Sequence, residues 1–275
     1  MNENKWSSLI LAVIKPVLIY LIVTVIVSFV GGGVMGALLS GRYISESGLD
    51  MDGFMTALPE LSAKYGLLLQ TIAAFISILI FSRMYRRQGF AEDDRENRKA
   101  YGLRLLPALI AGVLGALAGN MLLNAVDTGF LSEGYMETER LLFGGSFAVQ
   151  IAGIGFIIPL CEELLYRGLI YRPMRKVLGV NAAIPVSALI FGIMHGNIFQ
   201  GIYAFVIGIL FAYLMESYRT LAAPVLAHMG GNCLGLLLTR LPELPGKSAF
   251  MILGLVSLAG TLLVLRLVDR NVEKA

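Results

Sequence analysis

Apolar runs of roughly membrane length, separated by short polar stretches, recur along the whole chain. They fall at about 9–39, 65–82, 104–126, 144–166, 181–196, 199–216, 220–238 and 248–267. A hydrocarbon core roughly 30 Å thick takes about 20 apolar helical residues to cross. In lipid, a helix satisfies its own main-chain hydrogen bonds. The pattern therefore predicts an all-α, polytopic transmembrane helix bundle of about eight spans. The first run is long enough to tilt, or to break at Gly31-Gly32-Gly33. The fifth and sixth are short and joined through Gly196-Asn197, which fits a hairpin that does not fully cross. No internal repeat or low-complexity tract divides the chain, so residues 1–275 are read as a single integral membrane domain. The first run is too long for a cleaved signal peptide and is read as a retained span.

Charge sorts the polar stretches into two kinds. Arg83, Arg86, Arg87, Arg95, Arg98, Lys99 and Arg104 lie between the second and third runs. Arg172, Arg175 and Lys176 follow the fourth, Arg219 the sixth, and Arg266, Arg270 and Lys274 close the chain. The alternate stretches carry Glu46, Asp50, Asp52 and Glu60, then Glu133, Glu137 and Glu139. Under the positive-inside rule the basic stretches and both termini are expected to be cytoplasmic. Composition agrees with a membrane class: 57% hydrophobic and 15% charged, where a soluble domain is about a quarter charged. The net charge of +3 is topogenic, because its residues flank the spans and no nucleic-acid reading module is present. Membrane lipids, not nucleic acid, are the expected surroundings. Cys161 and Cys233 sit inside apolar runs, with neither a disulfide framework nor a Cys/His zinc spacing.

Three polar motifs interrupt the apolar walls, and they hold both histidines of the protein: CEELLYRG, FGIMHG and LAHMGGN. Ionisable groups at membrane depth are costly and mark functional sites. Glu163 and Arg167 are four residues apart and share a helical face, which predicts an ion pair. Glu162 is rotated about 100° away and is left free to act as a general base. His195 follows Phe191 by one turn, with the ring placed to fix the imidazole. His228 and Asn232 share another face. Counted from the basic ends at 1.5 Å per residue, Glu162 lies roughly 15 Å deep, His195 roughly 20 Å and His228 roughly 12 Å. Three clusters at one depth predict one shared intramembrane polar cavity.

Two histidines, a free glutamate and an amide suit hydrolysis of a peptide bond. A glutamate and a histidine activate water, directly or through a metal, while a histidine and an asparagine hold the oxyanion. A zinc site with two histidine ligands and one carboxylate, on Glu162, His195 and His228, is a second arrangement of the same groups. HExxH and GxSxG are both absent, which removes the single-helix zinc site and the serine nucleophile elbow. Two readings compete: a proton-coupled transporter, which calls for repeats that are not found, and a non-catalytic membrane scaffold or bacteriocin-immunity protein.

EELLYRG, FGIMHG and HMGGN resemble the EExxxR, FxxxH and HxxxN signatures of the CAAX prenyl protease and bacteriocin-processing family, the type II CAAX prenyl endopeptidase-like intramembrane proteases. Order and spacing agree over about 144–238, and Tyr166 stands where phenylalanine is common. The resemblance implies an intramembrane endopeptidase in which Glu162 and His195 activate water and His228 and Asn232 hold the oxyanion. Glu163, Arg167 and Phe191 would support them. It also implies zinc as a cofactor, and a peptide or protein substrate of the prenylated CAAX type, or a leader or membrane peptide.

Overall fold

A computed structural model describes residues 3–47, 51–125, 140, 142–240 and 246–273. Among them the chain is helical, with no strand. The helices are α1 (Glu3–Ser47), α2 (Met51–Arg87), α3 (Phe90–Tyr101) and α4 (Leu106–Ala125), followed by α5, a single helical run over Phe147–Leu178. Then come α6 (Val180–Ile193), α7 (Ile198–Tyr218), α8 (Ala222–Leu238) and α9 (Lys247–Glu273). Six of them are long and apolar enough to cross a membrane, and α6 and α8 are shorter apolar helices. The eight apolar runs of the sequence thus correspond one to one with α1, α2 and α4 to α9.

Two local expectations differ. The first run does not break at its glycines: α1 is continuous through Gly31-Gly32-Gly33. The sixth run is a full-length helix of 21 residues, because Asn197 caps its start by accepting the Gln200 N–H at 2.8 Å. It continues through Met215-Glu216-Ser217 to a left-handed Arg219. The shorter partner of the pair is α6 alone, 14 residues long.

Outward faces carry apolar side chains such as Leu11, Phe29 and Ile193, as a lipid-facing surface requires. The charged residues Glu163 and Arg167 are buried. Close main-chain approach joins the helices behind the site. A methyl group on Gly112 of α4 would lie 2.1 Å from the Ala227 carbonyl oxygen of α8. Small residues at such crossings are how membrane helices come near enough for dispersion contacts to hold them.

The basic stretches gather at one end of the bundle. Arg172 donates to the carbonyl oxygens of Phe90 and Arg219 and pairs with Asp94 at 3.5 Å. Tyr218 Oη donates to the Arg104 carbonyl at 2.9 Å. Asp50, Glu133, Glu137, Glu139 and Lys274 of the charge pattern lie outside the described residues.

Candidate active site

Helix α5 is irregular where the EExxxR motif lies. A six-residue α-helical stretch, Ile158–Glu163, stands between two π-helical stretches, Ile151–Ile157 and Leu164–Tyr171. Such wide turns leave carbonyl groups for other partners. The Ile158 N–H bonds the Gly153 carbonyl, so the next carbonyl, Ile154, is matched with residue 159. That residue is proline and has no N–H. Asn232 of α8 fills the vacancy, its Nδ2 donating to the Ile154 oxygen at 2.8 Å. The amide therefore docks α8 onto α5 with one of its two hydrogens.

The Glu163–Arg167 pair is present at 3.1 Å, both side chains buried. Arg167 also donates to the Gly208 carbonyl at 3.0 Å, and its guanidinium lies over the rings of Phe191 and Phe211. The sequence did not disclose that Glu163 Oε1 accepts a second bond, from His228 Nδ1 at 2.8 Å. A carboxylate can only accept there, so the Nδ1 proton is fixed and Nε2 is turned elsewhere. Nε2 lies 3.6 Å from Glu162 Oε2. Phe211 stacks on the same imidazole, with ring centres 4.7 Å apart. One carboxylate thus sets a guanidinium and an imidazole at once.

His195 lies just beyond the end of α6, in the turn closed by Gly196 at φ +77°. Its own N–H bonds the Gly192 carbonyl, which leaves the Phe191 carbonyl without its helical partner. His195 Nδ1 takes that carbonyl at 2.8 Å. A carbonyl only accepts, so Nδ1 carries the proton and Nε2 of the neutral ring is a free lone pair. The Phe191 ring stands edge-on to His195, 4.8 Å between centres. Phe191 therefore fixes the imidazole through main chain and side chain together.

Glu162, Phe191, His195, His228 and Asn232 line one cavity of about 400 Å³. Glu163 and Arg167 lie behind its wall. Tyr20 of α1 and Gln70 of α2 also line it, although no motif marked either helix. Their signal in the sequence is only a polar or amphipathic group within an apolar run. Among the described residues, no group of three His, Cys, Asp or Glu side chains is arranged to hold a metal ion. As placed, Glu162, His195 and His228 do not form a three-ligand set.

Residues 144–234, about a third of the chain, match the family described as type II CAAX prenyl endopeptidase Rce1-like. No curated protein and no solved structure matches the chain. The matched stretch carries Glu162, Glu163, Arg167, Phe191, His195, His228 and Asn232. Together, these observations make the chain an integral membrane protein, a polytopic helix bundle of which residues 144–234 are similar to the type II CAAX prenyl endopeptidase Rce1-like family.

Proposed function

We propose that the protein is an intramembrane endopeptidase whose Glu162 and His195 activate a water and whose His228 and Asn232 hold the oxyanion. The observation that carries this reading is the single cavity shared by these four residues, with Glu162 and His228 Nε2 3.6 Å apart. Water donates one hydrogen to Glu162 and the other to His195 Nε2. Its oxygen attacks the scissile carbonyl carbon while Glu162 takes the proton. The developing oxyanion is met by His228 Nε2–H and by the second Asn232 amide hydrogen. For this role His228 carries both protons, and the Glu163 carboxylate on Nδ1 balances its charge. Glu162 then returns the proton to the leaving nitrogen as the C–N bond breaks, giving a carboxylic acid and an amine; the acid's proton, the second one of the water, passes to the amine and leaves a carboxylate and an ammonium.

The substrate is a peptide or protein segment reaching membrane depth, of the prenylated CAAX type or a leader or membrane peptide. Zinc is the cofactor the family resemblance implies, and metal content measures it directly. The basic end of the bundle and both termini face the cytoplasm on the charge rule.

The test is cleavage of a quenched fluorescent peptide panel, each peptide with and without a prenyl group, by detergent-purified protein beside Glu162→Gln. Metal content is read on the same samples. Cleavage by wild type and its loss in Glu162→Gln, with helical spectra retained, supports the reading. A scaffold or immunity protein cleaves nothing, and a transporter moves protons without cleavage. Equal cleavage by both proteins overturns it.

A further inference from the structure

The turn between α7 and α8 is held from outside by α3. Leu221 stands at the N-cap of α8, where Ser, Thr, Asp or Asn is preferred, and has no side-chain acceptor to offer. Its N–H donates instead to Asp94 Oδ1 of α3, 127 residues earlier. Within one helix a capping-box glutamate takes that place. Here the carboxylate comes from another helix, and its negative charge suits the N-terminal end of α8. The next N–H groups, of Ala222 and Ala223, bond the Thr220 hydroxyl and carbonyl oxygens, and Pro224 has none. One turn along α3, Asn97 Nδ2 donates at 3.3 Å to the carbonyl of Arg219, the left-handed residue that ends α7. Asp94 and Asn97 share one face of α3. Both are half-buried, whereas Arg95 and Glu96 between them are exposed.

The same network reaches the end of α5. Three contacts converge on Asp94 Oδ1: the Leu221 N–H, the Tyr85 hydroxyl at 3.3 Å and the Arg172 guanidinium at 3.5 Å. Arg172 also donates to the Arg219 carbonyl at 3.3 Å, so it shares that acceptor with Asn97. Along α5 Arg172 lies about 13 Å beyond Glu163, and along α8 Leu221 lies about 10 Å before His228, at 1.5 Å per residue. The two helices are therefore tied at three levels. Asp94 joins Arg172 to Leu221 at the basic end, Glu163 meets His228 at 2.8 Å, and Ile154 meets Asn232 at 2.8 Å. The contact of Gly112 with Ala227 sets how near α8 comes to α4. Hydrogen bonds, which weaken steeply with distance and angle, set its height and rotation. A misplacement of about 1 Å at a reacting group costs about 10²-fold in rate.

We propose that α3 is a positioning element of the candidate site, in which Asp94 and Asn97 hold the start of α8 against the end of α5 and so set where His228 meets Glu163. Neither residue lines the cavity, and both lie outside the 144–234 match. The inference rests on the endopeptidase reading for what the placement serves, and on the hydrogen bonds for the placement itself. It gives the basic stretch between the second and third apolar runs a part in the site beyond topology.

The chain has two histidines, so NMR of isotope-labelled imidazoles in detergent reports His195 and His228 separately and needs no activity. Asp94→Ala is expected to shift the His228 Nδ1 signal and to speed exchange of its proton about tenfold, with His195 unmoved. On the same preparations kcat for a cleaved peptide falls about 10–100-fold while KM stays within about twofold. Asp94→Asn keeps Oδ1 as an acceptor and restores both the signal and kcat. Asn97→Ala, a milder change, moves both in the same direction by less. Arg95→Ala, on the exposed face of α3, moves neither. All readings are taken below the melting temperature of each variant. A clamp that only stabilises the bundle lowers that temperature and leaves the His228 signal and kcat as in wild type, and this result overturns the proposal. So does a His228 signal unchanged in both Asp94→Ala and Asn97→Ala. If Asp94→Ala does not fold, Asn97→Ala decides. If wild type cleaves nothing, the endopeptidase reading fails, and the imidazole signals judge the clamp on their own.

Discussion

Replacing Glu163 separates the part it plays in holding the fold from the part it plays in setting His228. One oxygen, Oε1, accepts from Arg167 at 3.1 Å and from His228 at 2.8 Å, and the side chain is fully buried. Glu163→Leu leaves the buried guanidinium without its counter-ion, a change that costs about 3–5 kcal/mol. At about 2–4 °C per kcal/mol for a chain of this size, the melting temperature in detergent falls by about 6–20 °C. Adding Arg167→Met removes the orphaned charge, and the double variant recovers most of that loss. Glu163→Gln keeps the shape and an acceptor, so stability falls by about 1.5–3 kcal/mol, the scale of one charge-assisted bond. Its effect on catalysis is larger. Without the carboxylate, a doubly protonated His228 keeps only Glu162, 3.6 Å from its Nε2, and loses the group that fixes its Nδ1 proton, and kcat is expected to fall about 10²–10⁴-fold with KM unchanged. Thermal unfolding and peptide-cleavage kinetics on the same preparations provide both numbers. A Glu163→Gln protein with kcat within threefold of wild type would refute the link from Glu163 through His228 to the reaction. A Glu163→Leu/Arg167→Met protein no more stable than Glu163→Leu would refute the assignment of a buried counter-ion.

Three further outcomes follow from the same geometry. Gly112→Val drives a side chain into the Ala227 main chain and separates α4 from α8; expect cleavage lost and a melting temperature lower by several degrees, while Gly33→Ala on the exposed face of α1 changes neither. Pro159→Ala supplies an N–H that competes for the Ile154 carbonyl; expect release of Asn232, read as a drop in kcat of about tenfold with the fold retained. At the basic end Arg175 pairs with Glu216, and the two are partly exposed; Arg175→Gln should cost about 1 kcal/mol or less and leave kcat unchanged.

Hydropathy made the helices legible because lipid exposure forces each spanning segment to be apolar nearly all round, and all eight runs became helices. The helix ends were less legible. The extension of α7 to Tyr218 depends on a left-handed cap at Arg219, and α1 runs helical through its three glycines with only Gly31 against α2, at Leu69. Spacing alone was enough to pair Glu163 with Arg167, since both are on one turn. It could not pair Glu163 with His228, 65 residues away, because that contact depends on how α5 and α8 cross. The bond from Asn232 to Ile154 was hidden for another reason: it arises from π-helical turns preceding Pro159, which hydropathy does not register. Tyr20 and Gln70 join the cavity as isolated polar groups, and only the packing of separate helices gives them a common place, whereas Gln200 belongs to the polar break at Gly196-Asn197 that the sequence already marks.

The most direct test of water activation by Glu162 is single-turnover cleavage by wild type, Glu162→Gln, Glu162→Asp and His195→Ala at saturating peptide, with binding followed separately. Loss of the general base is expected to slow cleavage by about 10²–10⁴-fold in Glu162→Gln while the peptide still binds. Glu162→Asp should retain a measurable part of the rate, and His195→Ala should be slowed as Glu162→Gln is. Cleavage by Glu162→Gln within threefold of wild type would contradict the account.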